Sequence, residues 1–151
     1  MLAYQKRYLQ AESTARAALQ IDPSFPVARA QLARALVMLG KSEEALSSLP
    51  PFGSMLGSAD AGFRGAIFAL AGQPDRARHE IQSLTAQNYV ASDAIAMIYA
   101  ALGEKDQAIR WLQKALAAHA FTLVFIKVEP MFDSLRDDPR FKAILARTGL
   151  Q

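Results

Sequence analysis

An eight-residue block recurs three times in register, and that recurrence restricts the fold of this chain more than any other feature. The blocks are Leu39-Gly40-Lys41-Ser42-Glu43-Glu44-Ala45-Leu46, Ala71-Gly72-Gln73-Pro74-Asp75-Arg76-Ala77-Arg78 and Leu102-Gly103-Glu104-Lys105-Asp106-Gln107-Ala108-Ile109. Each runs apolar residue, glycine, four polar or turn-forming residues, then alanine. The anchor alanines are 32 and 31 residues apart, a period that belongs to stacked supersecondary units and not to a single closed core. A glycine can take the left-handed conformation that ends one helix, and the polar residues after it can start the next. Each block therefore reads as the corner of a helical hairpin.

Small and apolar residues at helical spacing flank the corners. Before them stand Ala28, Leu32, Ala35, Leu36 and Leu39; Phe63, Ala66, Ile67 and Leu70; and Ala91, Ile95, Ile98, Tyr99 and Leu102. After them come Ala45, Leu46 and Leu49; Ala77, Ile81 and Leu84; and Ala108, Ile109, Leu112, Ala115 and Leu116. Both sets fit amphipathic helices. At the start of the chain, Tyr8, Ala11, Ala18, Leu19 and Pro23 have the spacing of a second helix and its terminal proline, with Ala11 lying 34 residues before Ala45.

The segment from Ala11 to Asp22-Pro23, together with the recurring corners, resembles the tetratricopeptide repeat over about residues 2 to 120. The resemblance implies an all-α right-handed solenoid of antiparallel helix hairpins closed by a C-terminal capping helix. It divides a single domain, residues 1–151, into a half repeat (2–22), three repeats (24–52, 57–88 and 89–120) and a C-terminal cap (121–151). The chain departs from the family in two ways. Arg29, Ala61 and Ser92 stand where a large aromatic is often found early in the first helix, and the first repeat lacks its first helix.

Beyond residue 120 the period breaks. Pro130 stops a helix, Met131 to Leu135 reads as a turn, and Asp138-Pro139 starts a helix carrying Phe141, Ile144 and Leu145, which Gly149 ends. Asp137-Asp138 is read as a helix cap in preference to a cation site. The stretch Thr122 to Ile126 has strand-like composition. A lone strand in a helical stack would lack hydrogen-bond partners, so a short buried helix or an extended cover is expected there. The run Val128 to Phe141 resembles the closing segment of many bacterial repeat proteins whose N-terminal part is a winged-helix regulator, protein kinase or nucleotide cyclase. That resemblance implies a C-terminal scaffolding or sensory module of a bacterial signalling or regulatory protein.

Composition narrows the function. The net charge of +3 is spread among acidic residues, without the basic stripe and interleaved aromatics of a nucleic-acid surface, so no nucleic-acid partner is expected. There is no cysteine, which leaves neither disulfides nor thiolate metal sites. The polar and basic first ten residues do not form a signal peptide, and no apolar run reaches the ~20 residues that span a bilayer. The default expectation is a cytoplasmic chain with no membrane contact. His79 reads as solvent-exposed, and His119 as a helix-end residue complementing the dipole. Ser47, Ser48 and Ser54 have no paired base, and the glycines fall at corners and not in a phosphate loop. No catalytic residue, cofactor or metal ligand is expected.

Binding a protein or peptide is what stacked hairpins offer, since their first helices line a concave face. The expected groove positions are Val27, Gln31, Arg34, Met38, Phe63, Ala66, Leu70, Asp93, Met97 and Ala101. Met38, Phe63 and Met97 suit an apolar or helical segment, although the same residues would serve equally well as core. Arg34 stands alone, without the other cations of a carboxylate clamp. At the N-terminal edge, Leu2, Tyr4, Tyr8 and Leu9 would be covered by the missing helix, so a second copy forming a homodimer, or an upstream domain, is expected to cover them. The alternative function is a regulatory domain that senses a small ligand.

Overall fold

A computed structural model describes residues 2–51, 53 and 58–149, with the side chains of 2–4, 58, 59 and 121 not included. Leu2, Tyr4 and Ser54, and the repeat limits set at residues 52 and 57, therefore lie outside the described positions or side chains. The helices are α1 (Leu2–Ile21), α2 (Pro26–Met38), α3 (Ser42–Ser48), α4 (Ser58–Leu70), α5 (Pro74–Thr85), α6 (Ser92–Ala101), α7 (Lys105–Ala117) and α8 (Pro139–Arg147). Two 3-10 helices, Phe121–Phe125 and Pro130–Leu135, join α7 to α8. Among the described residues there is no strand, and no helix is long and apolar enough to cross a membrane.

The corners form as their chemistry dictates. Gly40, Gly72 and Gly103 have φ of 77°, 78° and 78°. In each, the amide after the glycine reaches back five residues: Lys41 N to Leu36 O at 2.9 Å, Gln73 N to Phe68 O at 2.8 Å and Glu104 N to Tyr99 O at 2.9 Å. These bonds satisfy carbonyls that a helix end would otherwise leave open. Pro26, Pro74 and Pro139 occupy first helical positions, where their missing N–H costs nothing. The anchor alanines Ala45, Ala77 and Ala108 are fully buried, because the two helices of each hairpin meet there with no room for a longer side chain.

The hairpins α2–α3, α4–α5 and α6–α7 stack in chain order, with α1 against α2 and α8 against α7. The core is continuous but falls into three clusters. One gathers Leu32, Leu36, Phe63 and Ile67, the next Phe68, Ile81, Leu84 and Ile95, and the last Ile109, Leu112, Phe132 and Phe141.

The tail differs in detail from the sequence expectation. Residues 121–125 form a 3-10 helix with one buried face: Leu123 and Ile126 are buried, while Val124 and Phe125 are more than half exposed. The expected turn at Met131 to Leu135 is a 3-10 helix beginning at Pro130, with the Glu129 side chain accepting from Met131 N at 3.2 Å. Asp138 caps α8 by accepting from Arg140 N at 2.9 Å.

Candidate partner-binding surface

The first helices α2, α4 and α6 share one face of the stack, and the expected groove residues do not stand on it alike. Phe63 and Ala66 are buried, and Met38, Met97 and Ala101 pack half-buried around the same cluster. The cluster also contains Met131, 3% exposed, from the tail. Val27 and Gln31 are exposed near the N-terminal end of this face, Leu70 is 38% exposed, and Asp93 is half-buried outside the apolar clusters. The chain thus gathers Met38, Phe63, Ala66, Met97 and Ala101 into one cluster that also holds its own Met131.

Residues 127–136, the strap, hold that methionine in place. Arg34 Nη2 lies 3.2 Å from Glu129 Oε2, with both side chains largely buried, and the Arg34 guanidinium sits 5.5 Å from the centre of the Phe63 ring. Ser134 Oγ donates to the carbonyl of Ala100 on α6 at 3.2 Å. Arg136 pairs with Asp133 at 2.6 Å and donates to the carbonyls of Lys127 and Glu129, which fixes the bend of the strap.

Two hollows open where the strap ends. A cleft of about 580 Å³ is lined by Arg7 and Tyr8 of α1, Gln31 and Arg34 of α2, and Lys127 and Arg136 of the strap. A trough of about 480 Å³ runs beside it between α1 and α2, floored by Ala11, Ala15 and Ala18 on one side and Val27 and Ala28 on the other, with Phe25 at its end. Both share Arg7, Ala11 and Gln31, so they form one surface. Val27 and Phe25 are 54% and 43% exposed. Of the N-terminal edge residues, Tyr8 lines the cleft and is half-buried, and Leu9 is 49% exposed.

Sequence reasoning singled out Val27 and Gln31 but passed over their neighbours. The stripe of Ala11, Ala15 and Ala18, at steps of four and three, was the available signal. The contribution of Lys127 and Arg136 to the cleft had no such signal, because it depends on where the strap runs.

Elsewhere on α1, Glu12 accepts from Arg16 and Lys41, and Arg16 also reaches Glu44 at 2.9 Å. The hydrogen bonds from Lys41 and then Arg16 hold the Glu12 carboxyl below its ordinary pKa. This network ties α1 to the first corner and to α3. Among the described residues no three His, Asp or Glu side chains gather so as to hold a metal ion.

Family models described as tetratricopeptide repeat match residues 2–49 and residues 91–118. The first match runs from α1 through α3 and the second covers the α6–α7 hairpin. The chain is a tetratricopeptide repeat protein. The α4–α5 hairpin between the matches shares the same glycine corner and buried alanine. No curated protein and no solved structure matches the chain significantly. Tetratricopeptide repeats are generally protein-interaction modules.

Proposed function

We propose that this chain is a protein-interaction module that receives an apolar helical segment, from a second copy or from a partner protein, in the trough between α1 and α2. The observation that carries the reading is the trough itself. In a tetratricopeptide stack each second helix packs between its own first helix and that of the next hairpin; α1 is a second helix whose main described packing partner is α2. The trough beside it is floored by alanines, which let a helix axis approach to within about 8–10 Å. The inner face offers less, since Met131 is buried in the same cluster as Phe63 and Ala66.

The test is the mass in solution by light scattering over a dilution series, for the wild type and for Val27→Asp. A dimer that dissociates on dilution and is lost in Val27→Asp assigns the trough to a second copy. If both are monomers, a photo-crosslinking residue at position 27 is compared with one at position 113 on α7. Adducts to a defined protein from 27 alone support the reading. Equal labelling from both positions, or none, overturns it.

A further inference from the structure

The strap has two faces that serve different parts of the molecule. Phe132 and Leu135 are buried in the last core cluster with Phe141 and Ile144, and they close the end of the stack. Met131 turns to the cluster of α2 and α4, and Glu129 reaches Arg34 on α2. The side chains leading to this contact are left largely in solvent: Val128 is 72% exposed and Phe125 59%. The contacts that Glu129 and Met131 make on the inner face are thus separate from those by which Phe132 and Leu135 anchor the end of the stack.

The contact with Arg34 is also incomplete. A guanidinium can hold a carboxylate through two parallel hydrogen bonds, yet the buried Nε of Arg34 has no hydrogen-bond partner among the described residues. Glu129 is restrained by Pro130 and by its own bond to Met131 N at 3.2 Å. A carboxylate on a separate segment is free of those restraints and can engage both Nε and Nη2.

We propose that the inner face is a peptide-binding groove whose resident occupant is the chain's own Glu129-Pro130-Met131, and that it accepts in exchange a partner segment carrying a carboxylate two residues ahead of a long apolar side chain. Arg34 reads the carboxylate, and Phe63 and Ala66, flanked by Met38 and Met97, receive the apolar side chain. Methionines on the wall adapt to the shape that enters. Because the resident segment is tethered, its effective concentration is of order millimolar, and a free segment binds weakly until the strap is loosened. The proposal rests on the chain being a protein-binding module but not on the trough at α1 and α2.

The test uses a fluorescent peptide of residues 127–136 added to the full chain and read by anisotropy. Glu129→Ala/Met131→Ala, which empties the groove but keeps Phe132 and Leu135, is expected to bind it at least tenfold more tightly than the wild type. A peptide with lysine in place of its glutamate is expected to lose that binding, and Arg34→Glu in the double variant to recover it. A double variant that keeps its helicity and melts cooperatively, yet binds no better than the wild type, overturns the proposal. Should the double variant fail to fold, Glu129→Gln carries the test: tighter binding than wild type supports exchange, and unchanged binding overturns it. Val27→Asp leaves the peptide affinity unchanged if the groove is the site, so failure of the trough reading and failure of this one give different results.

Discussion

Gly62 of α4 faces Ala94 of α6 so closely that a Cβ placed on Gly62 would stand 2.7 Å from the Ala94 Cβ and 3.0 Å from its Cα. The obstruction is backbone and a methyl group, which no rotamer change relieves. Gly62→Ala would gain about 1 kcal/mol of helix propensity and lose about 1–3 kcal/mol to overpacking. The outcome expected is a lower urea midpoint with an unchanged slope, and partial recovery in Gly62→Ala/Ala94→Gly. A more stable single variant would show that α4 and α6 do not approach this closely.

His119 occupies the position after α7 that glycine fills after α2, α4 and α6. Its φ is 53°, and Ala120 N reaches back to Ala115 O at 3.0 Å as at the glycine corners. A residue with a Cβ is strained there. His119→Gly is expected to stabilise the chain by about 0.5–1 kcal/mol, net of the added freedom of the unfolded glycine. At about 2–4 °C per kcal/mol for a chain of this size, thermal melting should show a rise of a few degrees. His119→Val should melt lower than the wild type.

These two residues mark the limit of what the sequence discloses. The corners were legible because Gly40, Gly72 and Gly103 and the buried Ala45, Ala77 and Ala108 act locally: the glycine conformation and the small-residue contact are decided within eight residues. The Asp138 cap was legible for the same reason. The role of His119 was hidden because histidine does not advertise a positive φ. The occupant of the inner face was hidden more deeply, since Met38, Phe63 and Met97 look the same whether a partner or Met131 covers them. What covers them depends on the path of a tail that breaks the period, and periodicity carries no information about it.

Asp138 provides a pH signature. Hydrogen bonds from the Arg140 side chain and then its backbone N–H hold the carboxyl down to about 2, below the ordinary value of about 3.9. The folded state therefore binds its proton less readily than the unfolded chain, and the stabilisation is fully present above about pH 4 and disappears as pH falls through about 2. Asp138→Asn keeps a capping side chain without the charge. The melting-temperature gap between wild type and Asp138→Asn is expected to be constant from pH 7 to about 5 and to close between about 4 and 2. A gap independent of pH would mean the carboxylate is not what Arg140 holds.

If the strap is part of the stack and not an appendage, its two faces should differ sharply in cost. Phe132 is buried with its ring 6.1 Å from that of Phe141, so Phe132→Ala removes the full side chain from a packed site and is expected to cost about 3–5 kcal/mol. Val128, in the same segment, is 72% exposed, and Val128→Ala should fall within about 0.5 kcal/mol of the wild type. Urea unfolding measures both, and hydrogen exchange adds the location: in Phe132→Ala the amides of α8 should lose protection together with those of α7, because Phe132, Phe141 and Leu112 share one cluster. A loss below about 1 kcal/mol for Phe132→Ala, or protection lost in α8 alone, would detach the tail from the core. The strap would then be a free arm, and the inner face an open groove.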